Sequence, residues 1–220
     1  MVHFQRARND EQRELRRRAI LDTAAAMLAE MPVVDVGLNE LARRVGLAKS
    51  NVLRYFESRE AVLLQLLDLR YREWIGTVTP LLADHTGDLR TRRTRLVTAF
   101  VSTLAGEPVL CDLFNAQAAI LERNISPEVA ADYKRTSLGA TAELMAPVDH
   151  LIPEFGPESA LKFCAAALLS AGALWSHSHP APAMLAAYEA HPDLAALRLD
   201  FVPTLTDLLT VLARGLLAPD

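Results

Sequence analysis

The chain has 220 residues, 51% of them hydrophobic, which is enough to bury a core as one domain or as a small domain beside a larger one. Its net charge of −4 is uneven, because residues 1–60 hold 11 Lys and Arg against 9 Asp and Glu while the remaining residues hold 12 against 18. No run of about 18 consecutive apolar residues predicts a membrane span, and no apolar signal core follows the first residue, so we expect a cytoplasmic protein with no membrane partner.

Apolar periodicity predicts helices through almost the whole chain, with no competing strand pattern. The first helix runs from about Glu11 to Ala29 and is ended by Pro32. A second helix has apolar residues at the i, i+3, i+4, i+7 spacing of one face and ends at Gly46. Its apolar residues are Leu38, Leu41, Ala42 and Val45. A third helix turns Val52 and Phe56 inward, so the segment LNELARRVGLAKSNVLRYF has the order of a helix-turn-helix.

The polar residues of this segment suit the reading of DNA. A helix fits the major groove, where amide and cationic side chains read base edges, and phosphates accept hydrogen bonds from Arg, Lys, Ser and Tyr. The candidate DNA-binding residues are Asn39, Arg44, Lys49, Ser50, Asn51, Arg54, Tyr55 and Arg59. The alternative is a solvated amphipathic pair of helices with an ordinary polar face.

Two basic clusters bracket the segment, and both have the charge to neutralise phosphate. One cluster is Arg13, Arg16, Arg17 and Arg18, and the other is Arg43, Arg44, Lys49, Arg54 and Arg59. Most charge runs are simply solvated faces. The position of these two clusters around a motif that fits the DNA major groove favours nucleic-acid binding here.

Ser58 predicts the N-cap of a long helix that reaches about Pro80. Later helices are predicted at about Asp88–Ala105, Pro108–Arg123, Pro127–His150, Pro157–His177 and Leu199–Leu217. Cys111 and Cys164 lack the spacing of a metal or redox site, so we expect buried, reduced thiols.

The last two predicted helices carry more apolar surface than one helix needs, and we interpret the excess as a dimer interface. The candidate interface residues are Ala167, Ala171, Leu174, Leu205, Leu208, Leu209 and Leu212. The alternative is that both helices form the monomer core, because burial and interfaces demand the same residue types.

A small-molecule pocket between the later helices is also expected. Candidate lining residues are Trp74, Phe100, Phe114, Gln117, Tyr133, Met145, Phe163, Trp175 and His177. Such pockets are mostly apolar with few polar groups. Any single one of these residues is better explained as ordinary core.

An enzyme is the competing class. His177, His179 and His191 suggest a metal site, but an i, i+2 pair points to different sides of a helix and no further ligand lies at a suitable spacing. Nucleophile-elbow, phosphate-loop and HExxH motifs are missing from the sequence. We therefore expect no catalysis, no metal and no cofactor. A helical module that binds a protein instead of DNA remains a further alternative.

Residues Ile20 to Leu63 resemble the N-terminal domain of TetR/AcrR-family transcriptional regulators. The resemblance is carried without a gap by ILDTAAAML, ELARRVGLAKSNVLRYF and ESREAVLL, about a fifth of the chain. The rest is similar to the family only in length and helical character.

Four positions depart from the family pattern: Pro32, Gly37, Leu53 and Arg59 stand where it has Gly, Thr, Tyr and Lys. The family Tyr commonly touches phosphate, and Leu53 cannot. Arg54, Tyr55 and Arg59 would then supply more of the grip on the DNA backbone.

The resemblance implies an all-α fold in which a three-helix helix-turn-helix domain precedes a larger helical domain. Residues 11–57 would bind DNA, residues 58–80 would connect, and residues 81–220 would bind an effector and dimerise. It also implies a homodimer that represses from a palindromic double-stranded operator and is released by a small molecule of unknown identity. Reciprocal linkage requires that effector to bind the DNA-bound state less well.

Overall fold

Helices build the whole architecture of the computed structural model, which describes the backbone of residues 2–217 and the side chains of residues 11–217. In chain order the α-helices are α1 (Val2–Leu28), α2 (Leu38–Val45), α3 (Lys49–Val52), α4 (Arg59–Val78), α5 (Leu89–Ala105), α6 (Pro108–Ala116), α7 (Pro127–Leu151), α8 (Gly156–Ser178), α9 (Pro182–Ala190), α10 (Pro192–Ala195) and α11 (Phe201–Gly215). No strand occurs among the described residues, so the all-α prediction is confirmed.

Outside the helix-turn-helix, the observed helices differ from the predicted ones at three places. Helix α1 begins at Val2 rather than near Glu11. The helix predicted from Pro108 to Arg123 leaves the α form after Ala116 and continues as a π-helical turn over Gln117–Leu121. Helices α9 and α10 were not predicted. Each has a proline in its first turn and no buried residue, so neither shows the apolar periodicity that reveals a packed helix.

The chain divides into two compact units. Unit 1 comprises Met1–Leu67 and Ala116–Tyr133, and unit 2 comprises Asp68–Asn115 and Lys134–Asp220. Residues 116–133, which the sequence grouped with the larger domain, therefore belong to the same compact unit as the helix-turn-helix. Within unit 1, the backbone N–H of Ser126 donates to Glu57 Oε1 at 2.6 Å, directly after the helix-turn-helix segment.

Unit 1 has a core of its own. Side chains from α1 to α4 meet in it with no exposed surface, among them Ile20, Met27, Leu41, Val52 and Leu63. Fully burying a side chain of this size contributes roughly 1.5–3 kcal/mol. Helices α1 to α3 and the start of α4, which we call the head, are thus stabilised by the apolar helix faces that the periodicity predicted.

Unit 2 is built around packed aromatic rings. Trp74 meets Phe100 edge to face at 5.3 Å between ring centroids, and Phe100 meets Phe163 at the same separation. All three side chains are fully buried. The Trp74 indole N–H donates to Thr103 Oγ1 at 2.9 Å, so its polar atom is satisfied inside the core.

Helix α8 passes very close to α6 at Gly172. A Cβ at this position would lie 2.8 Å from the Asn115 backbone nitrogen and 3.0 Å from Phe114 Cβ. Real Cβ atoms do not come that near to backbone, so the close approach needs glycine. The small side chain here serves packing within unit 2 and not contact between subunits.

We expect Gly172→Ala to lower the free energy of unfolding by about 1–3 kcal/mol, because the added methyl group overpacks a well-filled contact. Urea unfolding monitored by circular dichroism measures the change. Gly76→Ala is the matched control, since a Cβ at Gly76 meets nothing within 4 Å in helix α4. That control should gain roughly 0.5–1 kcal/mol from helix propensity. Equal stability of both variants would contradict the close approach.

Both cysteines are buried and free, as predicted. Burial raises the pKa of Cys111 and of Cys164 to about 12. The thiolate is the reactive form of cysteine, so these side chains behave as small apolar groups.

One helical stretch of the described chain, Pro153–Ser178, is long and apolar enough to cross a membrane by length and composition. The bent pair Leu89–Ala105 and Pro108–Leu121, with 91° between its members, passes the same test as a broken span. Core helices of soluble proteins also pass it, and α8 packs against α11 within unit 2. The apolar composition of α8 is therefore weak evidence for a membrane.

Candidate nucleic-acid interface

The turn between α2 and α3 depends on Gly46. This residue has φ 74°, in the left-handed region where a side chain is strained. The N–H of Leu47 donates to Ala42 O at 2.9 Å and the N–H of Gly46 donates to Arg43 O at 3.2 Å. This Schellman arrangement satisfies the last carbonyls of α2 and ends the helix where the sequence predicted.

Helix α3 is shorter than predicted. Its α-helical part is Lys49–Val52, and the chain then tightens, because the N–H of Tyr55 donates to Val52 O, three residues back, at 2.9 Å. Val52 is fully buried and Phe56 is 5% exposed, so the inward face is as predicted. Lys49 and Ser50 are exposed on the outer side.

Ser58 caps α4, as predicted. Its Oγ accepts a hydrogen bond from the N–H of Ala61 at 3.1 Å. Glu60 stands in the first turn, where a carboxylate suits the positive end of the helix dipole. Helix α3 and the turn after it, residues 49–56, which we call the reading segment, thus lie between the end of α2 at Gly46 and the start of α4 at Ser58.

Two arginines of α2 are engaged by carboxylates. Arg43 donates to both oxygens of Glu40 at 2.7 Å, and Arg44 donates to Glu40 Oε1 at 2.8 Å. Arg44 also donates to Glu30 Oε2 at 2.7 Å. Hydrogen bonds from Arg43 and Arg44 lower the pKa of Glu40 to about 2, so the carboxylate stays ionised at neutral pH. Much of the positive charge of α2 is therefore neutralised within the protein.

Two further arginines brace the head. Arg17 of α1 donates from Nη1 to Tyr55 O at 2.8 Å and lies 4.6 Å from the Phe56 ring centroid. Arg59 donates to Val33 O at 2.8 Å, and its Nε is buried without a hydrogen-bond partner among the described residues. Arg44 and Arg59, both of which the sequence predicts to contact DNA, each have a hydrogen-bond partner within the described residues.

The other candidate residues are placed on the surface. Asn39, Lys49, Ser50 and Arg54 are exposed, and Asn51 and Tyr55 are half-buried. Within the part of the chain whose side chains are described, those of Lys49, Ser50, Asn51 and Arg54 make no hydrogen bond or ion pair. Leu53 is 41% exposed beside them. The free donors therefore cluster on α3 and the turn that follows it.

The candidate pocket residues fall into different surroundings. Gln117 and Tyr133 belong to unit 1, and the other candidates belong to unit 2. Trp74, Phe100 and Phe163 are fully buried in the aromatic core, whereas Phe114, Met145 and Trp175 are half-buried and His177 is exposed.

The candidate interface residues split in the same way. Ala167, Ala171, Leu205 and Leu209 are fully buried within unit 2, so their side chains have no exposed surface in the single chain. Leu208 is 42% exposed, and Leu174 and Leu212 are half-buried. The sequence interpretation missed the exposed apolar residues on the outer faces of α8 and α11, namely Leu161, Leu169, Val202 and Val211. The helical spacing of these residues can be read from the sequence, but α8 is apolar on both faces, so the spacing does not show which face is exposed.

The histidines do not assemble a metal site in the part of the chain that the structure describes. No group of three or more His, Cys, Asp or Glu side chains that could hold a metal ion occurs among those residues. His179 Nδ1 lies 2.9 Å from Trp175 O, and the two rings are 4.0 Å apart. His177 is exposed on the last turn of α8.

Unit 1 thus contains a helix-turn-helix whose outer cations and amides have no partner among the described residues, and unit 2 is all-helical. Residues 20–66 match the family model of bacterial regulatory proteins, tetR family, and residues 69–220 match that of the tetracyclin repressor-like C-terminal domain. The chain belongs to the TetR family of transcriptional regulators. The resemblance over Ile20–Leu63 is thereby confirmed. The C-terminal part, which resembled the family only in length and helical character, also matches a model of this family.

Among curated relatives, the HTH-type transcriptional regulator EthR of Mycobacterium tuberculosis and that of Mycobacterium bovis are 44% identical over 50 residues. That segment is 23% of this chain and only 23% of each relative. A putative tetR family regulator from Shewanella sp. PV-4 has a similar structure, with a TM-score of 0.53, 16% identity and coverage of 91% of this chain and 96% of that one. The fatty acid degradation regulator FadR from Bacillus halodurans gives 0.52 and 15%, with coverage of 92% and 94%. These structures support the fold alone.

Proposed function

We propose that the protein is a homodimeric repressor that binds a palindromic operator through α3 and is released by a small molecule bound in unit 2. The observation that carries the proposal is the cluster of donors on Lys49, Ser50, Asn51 and Arg54, which have no partner among residues 11–217 and lie on the outer side of a helix-turn-helix. Family membership supports a regulatory role in the cytoplasm, where DNA is available, rather than a catalytic one.

The residues of α3 and of the turn after it divide by chemistry into two tasks, contact with base edges and contact with backbone phosphate. Asn51 has the bidentate amide that pairs with adenine, and Lys49 donates to guanine acceptors. Arg54 and Tyr55 follow the helix, where a cation and a phenol suit backbone phosphate better than base edges. Ser50 suits either partner. Arg44 and Arg59 would act by holding the head in shape.

The test is selection of bound fragments from genomic DNA, followed by binding measurements on the recovered sequence at several salt concentrations. We expect a palindrome with half-site centres about 34–36 Å apart, one helical turn, or a multiple of it. Affinity for DNA should fall steeply with salt. A protein that binds no duplex at low salt would be a helical interaction module, and the proposal would then be wrong.

Arg54→Ala is expected to weaken binding to all DNA sequences by a similar factor, because a phosphate contact carries no base information. The slope of log affinity against log salt should become shallower by about 0.9 for each phosphate that the variant no longer neutralises. Fluorescence anisotropy on operator and random duplexes measures both effects. Arg90→Ala is the control, since Arg90 is an exposed residue of unit 2. A changed base preference with an unchanged slope would reassign Arg54 to base reading.

Dimerisation through α8 and α11 is supported by their exposed apolar side chains. Leu169 is 69% exposed on α8 and Val211 is 67% exposed on α11. Helix α11 packs its other face on α5 and α8 inside unit 2, so both helices are already held in place before a partner arrives. A twofold partner supplies the second reading head that a palindrome requires.

An effector site in unit 2 is supported by Tyr71. Its side chain is 4% exposed and stands between Trp74 and Phe114, at centroid distances of 6.1 and 5.6 Å. Its hydroxyl is buried and lies near Thr141, which lowers its pKa slightly, but no hydrogen bond of good geometry joins it to a described residue. Burial raises the pKa of Tyr71, so the phenol is neutral and can both donate and accept. A largely apolar ligand with one polar group would satisfy it.

A further inference from the structure

A polar concavity lies between helix α1 and the end of the reading segment. It has a volume of about 470 Å³ and is lined by Gln12, Arg13, Arg16, Arg54 and Tyr55. Three guanidinium groups, one amide and one phenol thus border a single space within unit 1. All five lining side chains can donate hydrogen bonds. The concavity therefore differs from small-molecule pockets, which are mostly apolar.

We propose that this concavity, which we call the anion cradle, holds one phosphodiester group of the operator backbone and makes α1 a DNA-contacting helix. The inference rests on the proposed function and extends it to Arg13 and Arg16. The run of arginines along α1 does not by itself distinguish these two from Arg17 and Arg18, whereas the surroundings of each side chain do.

No anionic partner for the cations of the anion cradle occurs among the residues whose side chains the structure describes. Among residues 11–217, no ion pair or side-chain hydrogen bond engages Arg13, Arg16 or Arg54. The adjacent Arg18 is paired with Asp22 at 3.2 Å. Since like charges gathered at one place repel each other, an anion between them relieves the repulsion and gains charge-assisted hydrogen bonds.

The walls of the anion cradle are held in place by Arg17. This side chain donates to Tyr55 O and to Gln65, and its guanidinium lies over Phe56. Arg13 and Arg16 are one turn apart on the same face of α1, next to this anchor. Helix α1 and the backbone at Tyr55 are therefore fixed to each other before DNA arrives, whereas the exposed guanidinium groups of Arg13, Arg16 and Arg54 become ordered on binding.

The position of the anion cradle favours a phosphate of the DNA that α3 reads over a free anion. Arg54 and Tyr55 follow the base-reading residues 49–51 directly along the chain. A duplex seated on α3 brings its own backbone to Arg54. Arg13 and Arg16 then meet that strand from α1, and phosphates of the backbone accept hydrogen bonds from such arginine side chains.

The test replaces single operator phosphates by uncharged methylphosphonates and compares wild-type protein with R13A/R16A. We expect wild-type binding to weaken about tenfold at one phosphate in each half-site, and R13A/R16A, which keeps Arg54, to lose most of that sensitivity. The variant should also have a salt slope shallower by about 0.9 per half-site and keep its base preference. Alanine retains the helix, and circular dichroism confirms the fold.

R90A/R198A is the control of equal charge, because both arginines are exposed in unit 2. It should keep the methylphosphonate sensitivity of the wild type. Wild-type protein that binds DNA but shows the same sensitivity as R13A/R16A at every phosphate would overturn the anion cradle alone. Wild-type protein that binds no duplex would overturn the proposed function together with it. Saturable binding of inorganic phosphate without any methylphosphonate effect would assign the site to a free anion and overturn its DNA role.

Discussion

Leu208→Glu is expected to convert a dimer to monomers and to abolish operator binding at concentrations where the wild type is saturated. Leu208 is 42% exposed on α11, close along the helix to the more exposed Val211. A carboxylate buried there against a second copy would incur a large desolvation penalty. Without the second reading head, the effective-concentration gain of two linked sites, about 10²–10⁴ in affinity, disappears. Light scattering after size exclusion and fluorescence anisotropy measure the two effects.

The control for this substitution is Leu138→Glu on α7, where the side chain is 71% exposed. It adds the same charge to a different surface of unit 2 and should leave mass and affinity unchanged. The buried face of α11, with Leu205 and Leu209, is untouched by either variant, so the fold should persist. An unchanged mass of Leu208→Glu, at the value of the wild type, would show that α11 does not form the interface.

Asn51→Ala is expected to lower specific affinity by about 1–3 kcal/mol per half-site, because alanine cannot make the bidentate pairing of an amide with a base edge. The base preference should relax at one position of each half-site. The slope of log affinity against log salt and the affinity for random DNA should stay the same. Selection of bound sequences with the variant, followed by anisotropy on the selected and original operators, measures the change.

Asn124→Ala is the matched control, since Asn124 is also in unit 1, is exposed, and lies outside the helix-turn-helix. A uniform loss of affinity on all sequences for Asn51→Ala would place this side chain on the backbone instead of a base edge. Equal effects of both substitutions would point to a general disturbance of unit 1.

Local signals in the sequence were enough to predict most helix ends. Ser58 caps α4 and Gly46 ends α2, because each acts on backbone groups within a few residues. The apolar faces of α2 and of the reading segment were equally readable, since periodicity reports burial directly. Helices α9 and α10 gave no such signal because they bury nothing.

Charge pairing could not be read from the sequence in the same way. Arg44 meets Glu40 on its own helix, which spacing allows, but it also meets Glu30 from a different part of the chain. Arg59 is held by the carbonyl of Val33, 26 residues away. Only the fold shows which arginines are occupied and which remain available to DNA.

The apolar runs of the later helices were ambiguous for a related reason. Helix α8 is apolar on both faces, so composition cannot separate Ala167 and Ala171, which are buried, from Leu161 and Leu169, which are exposed. Gly172 illustrates the same difficulty, because a small residue permits close approach to any neighbour and the neighbour here is α6.

The side chains of α3 that are proposed to read DNA contribute no hydrogen bond to the described fold, although that of Asn51 is half-buried. Val52 and Phe56 provide the packing, and Arg17 and Ser58 fix the ends, whereas Lys49, Ser50 and Asn51 make no hydrogen bond within the described protein. Stability and recognition are therefore carried by separate residues. If α3 reads the operator as proposed, the three positions can be varied together to change the operator with little cost to folding, which makes the helix-turn-helix a suitable scaffold for reprogrammed genetic switches.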